Sequence, residues 1–172
     1  MTPNGCDMIL RNARLDETET CYQFVQDAIA YQRSLGFVQW HEGYPGRDLI
    51  EHDIENGIGY VFAEEDRLLG YCCILVGEEP AYRDIKGAWK TDLPYAVVHR
   101  MAFGAETRGH GFSKAAFSLI KDLCLEKGID AIRIDTHNDN KVMQHILARE
   151  GFVYCGQVMY DGPKLAFEWD RA

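Results

Sequence analysis

Apolar and polar positions change period along this chain, and each change predicts an element. Met8 to Leu15 alternates loosely, which reads as a first strand. Cys21, Phe24, Val25, Ala28 and Ile29 then recur at helical spacing, with Asp16 or Thr18 as N-cap and Gly36 as stop. A loop of aromatics and turn formers, Gln39 to Gly46, precedes a shorter helix over Arg47 to Asn56. Tyr60 to Glu64 and Leu68 to Val76 are strand-like and joined by Glu65-Asp66-Arg67, so they form a hairpin. Gly77 to Leu93 is polar and irregular. Tyr95 to Phe103 is the next strand. From Ser113 to Glu126, apolar residues such as Ala116, Leu119, Ile120 and Leu123 share one helical face, which Gly128 ends. Ala131 to Thr136 is a β-branched strand. Asn138-Asp139-Asn140 starts a helix that runs through Val142, Met143, Ile146 and Leu147 to Gly151. Phe152 to Val158 and Leu165 to Trp169 are closing strands around the turn Asp161-Gly162-Pro163.

Strands and helices mix in the order βααβββαβαββ, which predicts an α/β (mixed α+β) fold with helices on the faces of one mixed sheet. At 172 residues the chain is expected to be a single domain over 1–172. A hydrophobic fraction of 47% and an aromatic fraction of 12% suit a packed core and argue against disorder. No apolar run approaches the ~18–20 residues that span a bilayer, and no signal peptide is evident, so no membrane partner and a cytoplasmic location are expected.

Cys6, Cys21, Cys72, Cys73, Cys124 and Cys155 form no Cys-x-x-Cys pair, and no histidine–cysteine spacing suggests zinc or another metal. They read as small core hydrophobes in a reducing compartment. A net charge of −9 argues against nucleic acid and mildly favours a cationic substrate such as a primary amine.

The chemistry concentrates at Arg108-Gly109-His110-Gly111-Phe112-Ser113, between a strand and an amphipathic helix. Paired glycines let the backbone turn tightly with bare N–H groups, and the helix start adds unpaired N–H groups and the positive dipole end. Such a loop can hold a phosphate or pyrophosphate, with Arg108 adding forked donors. It is not a P-loop, because the Gly-Lys-Ser/Thr ending is missing, nor a dinucleotide fingerprint, which needs a third glycine.

With these residues and the Asn140…Gly151-Phe152 helix, the chain resembles the GNAT superfamily, the GCN5-related N-acetyltransferases. Arg108, Gly111 and Ser113 fall on the family's loop pattern Gln/Arg-x-x-Gly-x-Gly/Ala, Ser113 departing from the last position. The first half, with Gln39-Trp40, Tyr44-Pro45, Asp53-Ile54 and Tyr60-Val61, resembles small bacterial members without a well-defined substrate. The resemblance implies a central mixed sheet of about seven strands flanked by about four helices, with acetyl-CoA as donor. It implies a cofactor site made by the backbone of Met101, Ala102 and Phe103, by Arg108, Gly109, His110, Gly111, Phe112, Ser113 and Lys114, and by Asn140 near the pantetheine arm. Ser113 could cap the following helix or touch a phosphate. The implied reaction moves the acetyl group to a primary amine, of a small molecule or a peptide, by direct attack in a ternary complex. Dimers are common in the family.

Such a reaction needs a base for the ammonium and help for the departing thiolate. His99, two residues before Met101 on one strand, is the first candidate base; Glu42 and Asp135 are weaker ones. The family's usual acid is a tyrosine seven residues after the helix-opening asparagine, and this sequence has Leu147 there. Tyr154, Tyr160 and His137 are the substitutes, Tyr154 being taken as the catalytic partner of His99. Trp40, Tyr44 and Trp89, with His41 and Tyr82, are expected to line the acceptor pocket. Leu147 also raises a second reading, a non-catalytic acyl-CoA-binding module; a third is an interaction domain that binds no CoA.

Overall fold

The computed structural model describes residues 7–172; Cys6 lies outside them. The strands are β1 (Ile9–Asn12), β2 (Gly59–Glu64), β3 (Arg67–Val76), β4 (Lys86–Gly87), β5 (Tyr95–Phe103), β6 (Ala131–Thr136), β7 (Val153–Met159) and β8 (Pro163–Asp170). The α-helices are α1 (Thr18–Ser34), α2 (Arg47–Glu55), α3 (Phe112–Glu126) and α4 (Lys141–Arg149). The strands form one sheet in the order β1-β2-β3-β5-β6-β8-β7-β4. Every neighbouring pair is antiparallel except β5–β6.

The sheet therefore has eight strands where the sequence predicts about seven. The added strand, β4, lies in the stretch that reads as irregular. It has no period to read, because only two residues pair, Lys86 with Gln157 and Gly87 with Gly156. Glycine is what permits the pairing. A Cβ on Gly87 would lie 2.2 Å from the Cys155 carbonyl oxygen, and one on Gly156 would lie 2.1 Å from that of Lys86.

The helices follow their apolar faces. Ala116, Phe117, Ile120 and Cys124 of α3, with Leu147 of α4, pack on one sheet face against Ile132, Phe152 and Phe167. Burial of side chains such as Phe117 or Ile120 contributes about 1.5–3 kcal/mol each. On the other face, Cys21, Phe24 and Val25 of α1 meet Ile50 and Ile54 of α2 over Val61 and Tyr71. Adjacent Cys72 and Cys73 point to opposite faces, as strand geometry requires. Burial pushes the Cys21 and Cys73 thiols up to about 12 and Cys124 to about 11, which suits packing rather than nucleophilic roles.

Two irregularities of β5 position the site. Its parallel pairing with β6 covers only Tyr95–Val97 against Ala131–Arg133, and beyond that register the two strands separate. On the other side, Cys73 faces His99 and Tyr71 faces Ala102, so three steps on β5 oppose two on β3. The extra residue is a β-bulge, with Arg100 left-handed at φ 54°. The bulge breaks the alternation, so His99 and Arg100 both turn from the α3–α4 face while Met101 and Phe103 return to it.

Candidate active site

A channel follows the separation of β5 from β6. At one end its wall is Phe103, Thr107, Arg108, Gly109, Gly111, Phe112 and Ser113, with Tyr31 of α1 and Val142 and Ile146 of α4. The next segment shares Tyr31, Phe103, Arg108, Ser113, Val142 and Ile146 and adds Ala28, Met101, Ala102, Phe117 and Met143. Met101, Phe117 and Met143 continue into the cleft between the strands, which Val98, His99, Arg100, Ile134, Asp135, Thr136, Asn140, Tyr160 and Lys164 also line.

At the loop end the sequence alone dictates much of the geometry. Gly109 and Gly111 adopt φ of 79° and 75°, and a Cβ on either would meet nothing within 4 Å. Gly111 is the N-cap of α3 and offers no side-chain cap, so the first-turn N–H groups stay open to a ligand. Arg108 donates from Nη2 to the Asp27 carbonyl at 3.0 Å and lies 4.1 Å over the Tyr31 ring, which fixes its guanidinium at the channel wall. Ser113 does not cap α3; its hydroxyl accepts from Arg149 Nη2 at 2.9 Å. His110 and Lys114 are exposed beside the helix start. This set fits an anionic group at the loop and an extended chain along β5, where Met101–Phe103 have no strand pairing toward β6.

The cleft end depends on long-range contacts. Asp53 of α2 takes two hydrogen bonds from Arg100, from Nε and Nη2, both at 2.8 Å, and a third from the Tyr71 hydroxyl at 2.7 Å. Burial, the largest single cause, would lower the Arg100 pKa; the Asp53 hydrogen bonds together with the charges of Asp53 and its neighbours outweigh it, and the net shift is upward. The fork holds the left-handed Arg100 backbone and hence the bulge. Arg100 Nη1 also donates to the Tyr44 hydroxyl at 3.1 Å, and that oxygen lies 3.1 Å from the Tyr160 hydroxyl. Either hydroxyl can donate in that contact, since the Tyr44 oxygen has two lone pairs and can accept from both Arg100 and Tyr160. Burial, then Tyr44, pushes the Tyr160 phenol above its ordinary value, so it stays protonated.

His99 is 7% exposed and stacks on Tyr160 with ring centroids 4.6 Å apart. Its Nε2 lies 3.2 Å from Glu79 Oε2. That contact holds the Glu79 carboxyl below its usual range, helped by the Ala81 N–H. The neutral tautomer that satisfies Glu79 carries its proton on Nε2 and leaves Nδ1 as acceptor. On the same sheet face, Asp135 of β6 accepts from the Tyr82 hydroxyl at 2.6 Å, and burial raises its pKa.

Several expected site residues stand elsewhere. Tyr154 is 58% exposed on β7 and packs edge-on against Phe167, outside the cleft. Trp89 donates to the Tyr82 carbonyl and sandwiches Arg133 with Tyr95, at 4.3 and 4.0 Å; it supports the buried Arg133–Glu168 pair and lines no part of the channel. Leu147 is fully buried in the core. Asn140 lines the cleft, and its side chain caps α4 by accepting from the Met143 N–H at 3.1 Å. Trp40 and Tyr44 do line the cleft, but His137 stacks on Phe37, and Glu42 lies on the outer surface. Glu79, Arg100, Asp53 and Lys164 were not expected. The signal for Arg100 was a charge inside the apolar run Tyr95 to Phe103; the others carry none that spacing reveals.

The described helices include none long and apolar enough to cross a membrane. A model of the acetyltransferase (GNAT) family matches residues 15–152. The chain belongs to this family. A GNAT-family acetyltransferase from Streptococcus agalactiae is 34% identical over 96% of each chain, with a TM-score of 0.86. PaiA N-acetyltransferase from Thermoplasma acidophilum, solved with coenzyme A, is 14% identical over 95% of this chain and 98% of its own, at a TM-score of 0.72. Aminoglycoside acetyltransferase AAC(6')-Ib, solved with coenzyme A and kanamycin, is 16% identical over 95% of each chain, at 0.70. These last two share the GNAT fold. No curated protein matches the sequence.

Proposed function

We propose that the protein is an acetyl-CoA-dependent N-acetyltransferase acting on a small-molecule primary amine, with the whole chain as its one domain. The observation that carries this reading is the channel, which joins an open glycine loop at a helix N-terminus to a cleft holding an oriented histidine. The coenzyme A and kanamycin in the two fold relatives support the choice of donor and amine.

Bound acetyl-CoA would supply a thioester whose acyl carbon is open to an amine. Gly109 to Lys114 and Arg108 hold its pyrophosphate, and the free backbone edge of Met101–Phe103 aligns the pantetheine arm as an added strand. A backbone N–H of that edge supports the carbonyl oxygen as charge builds on it. His99 Nδ1 takes a proton from the ammonium, directly or through water, and Glu79 keeps the ring in place. The nitrogen then forms the new C–N bond as the C–S bond breaks, and its second proton leaves to solvent, so that the amide keeps one N–H. Tyr160, in place of Tyr154, gives its proton to the departing thiolate and recovers one through Tyr44 or solvent. A free thiol's pKa of about 8.5 makes this a modest demand.

Release of free thiol, followed with a panel of amines, tests the proposal. Amine-dependent release that His99→Ala abolishes supports it. A second reading keeps the cofactor site without turnover, and Leu147, which has no proton to give, favours it. Tight acetyl-CoA binding with no thiol release from any amine establishes that reading instead.

A further inference from the structure

The cleft contains two opposite charges that do not meet. Lys164 is 3% exposed and lines the cleft as the second residue of β8. Its Nζ donates to the Asp161 carbonyl at 2.6 Å, and its other two donors make no hydrogen bond with described residues. Asp135 gives one oxygen to Tyr82 and leaves Oδ1 without a donor among them. Although each feels the other's charge, no Asp135 oxygen comes within 4.0 Å of Lys164 Nζ. The remaining charges nearby are already engaged. Arg100 is forked onto Asp53, Glu79 holds His99, and Asp161 is taken by the N–H and ring of His41.

Resting on the acetyltransferase reading, we infer that the acceptor is an amino-carboxylate, its ammonium held by Asp135 Oδ1 and its carboxylate by Lys164 Nζ. A molecule carrying both charges completes two charge-assisted contacts that the protein cannot close for itself. Burial lowers the Lys164 pKa, and Asp135 and Asp161 oppose the shift; an incoming carboxylate would offset the same cost. Asp135 shares a sheet face with His99, so an ammonium on Oδ1 is delivered to the proposed base. Trp40, Val98, Phe117, Ile134 and Met143 then offer an apolar wall, which suits a compact apolar or aromatic side chain.

The test pairs each amino acid with its decarboxylated amine: leucine with isoamylamine, and phenylalanine with phenethylamine. Thiol release gives kcat/KM for each, and calorimetry on the CoA-loaded protein gives affinity without turnover. The expected result is a preference for the amino acid of about 10- to 100-fold, the range of one hydrogen bond to a charged group. In Lys164→Met the ratio should collapse toward unity, and Lys164→Arg should keep part of it. Equal or better use and binding of the amines by the wild-type protein overturns the inference, as does loss of both ligands' binding. Selective binding of the amino acids with no thiol release keeps the inference and sinks the acetyltransferase reading. Circular dichroism and CoA affinity establish that the variants fold.

Discussion

The loop end of the channel draws most of its wall from one stretch, Phe103 to Ser113, while the cleft end draws on residues scattered from Gln39 to Lys164. The first is built from backbone: two glycines at positive φ and a bare helix start. The second is built from side chains locked by distant partners, such as Asp53 on Arg100 and Glu79 on His99. Backbone that holds a constant donor tolerates little variation, whereas a side-chain pocket can change acceptor without disturbing the donor site. The contrast separates a site written in one short stretch from one assembled out of distant parts of the chain.

Substitutions at one end should leave the other intact, which gives ways to break the comparison. The largest effect is expected for His99→Ala: loss of a general base costs about 100- to 10,000-fold in kcat/KM. CoA affinity by calorimetry should stay close to wild type, and a parallel loss of CoA binding would show that the two ends are not separable.

Asp53→Ala removes one partner of a buried pair and is expected to cost about 3–5 kcal/mol of folding stability, read from urea unfolding. A cost below about 1 kcal/mol would mean that the bulge does not depend on the fork. At the other end, Gly111→Trp should lower CoA affinity by about 100-fold, since it forces an indole to φ 75° in the space the loop keeps open. Near-wild-type affinity in a folded variant would contradict the loop assignment.

Tyr160→Phe should lower kcat by about 10-fold, a small value because a thiolate leaves readily. An unchanged kcat would assign the acid elsewhere. The smallest effect concerns stability against pH. Burial raises the Asp135 pKa above its unfolded value, so the folded state holds the proton more strongly. Wild-type stability should therefore fall as pH rises from the unfolded carboxylate value through the raised folded one. Asp135→Asn should flatten that slope, measured as Tm against pH from the ordinary carboxylate range upward. A slope unchanged in the variant would remove Asp135 as its source.

Most of the fold was legible, because amphipathic periods are local. All four helices and seven strands lie close to where the pattern places them. The strand β4 was not, since two residues joined by glycine backbones carry no period. In the candidate site, the glycine loop lies at one end of the channel and His99 lines the cleft, both in stretches whose pattern the sequence shows, whereas Glu79, the partner of His99, sits in a stretch with no period to read. Tyr154 and Trp89 stand elsewhere for two reasons: a tyrosine on a strand can face either side, with one residue of register deciding which, and Trp89 follows β4 in irregular chain whose path only tertiary contacts set. Here Tyr154 faces solvent and Trp89 covers Arg133.

Period, glycine positions and helix-opening residues thus set the elements and the anion loop, because each acts within a few residues of itself. The bulge at Arg100, the His99–Glu79 contact and the open gap between Asp135 and Lys164 exist only after the sheet assembles. They depend on which strands become neighbours and on where β5 parts from β6. No local pattern encodes that parting, because it follows from packing β5 against β3 on one side and helices on both faces.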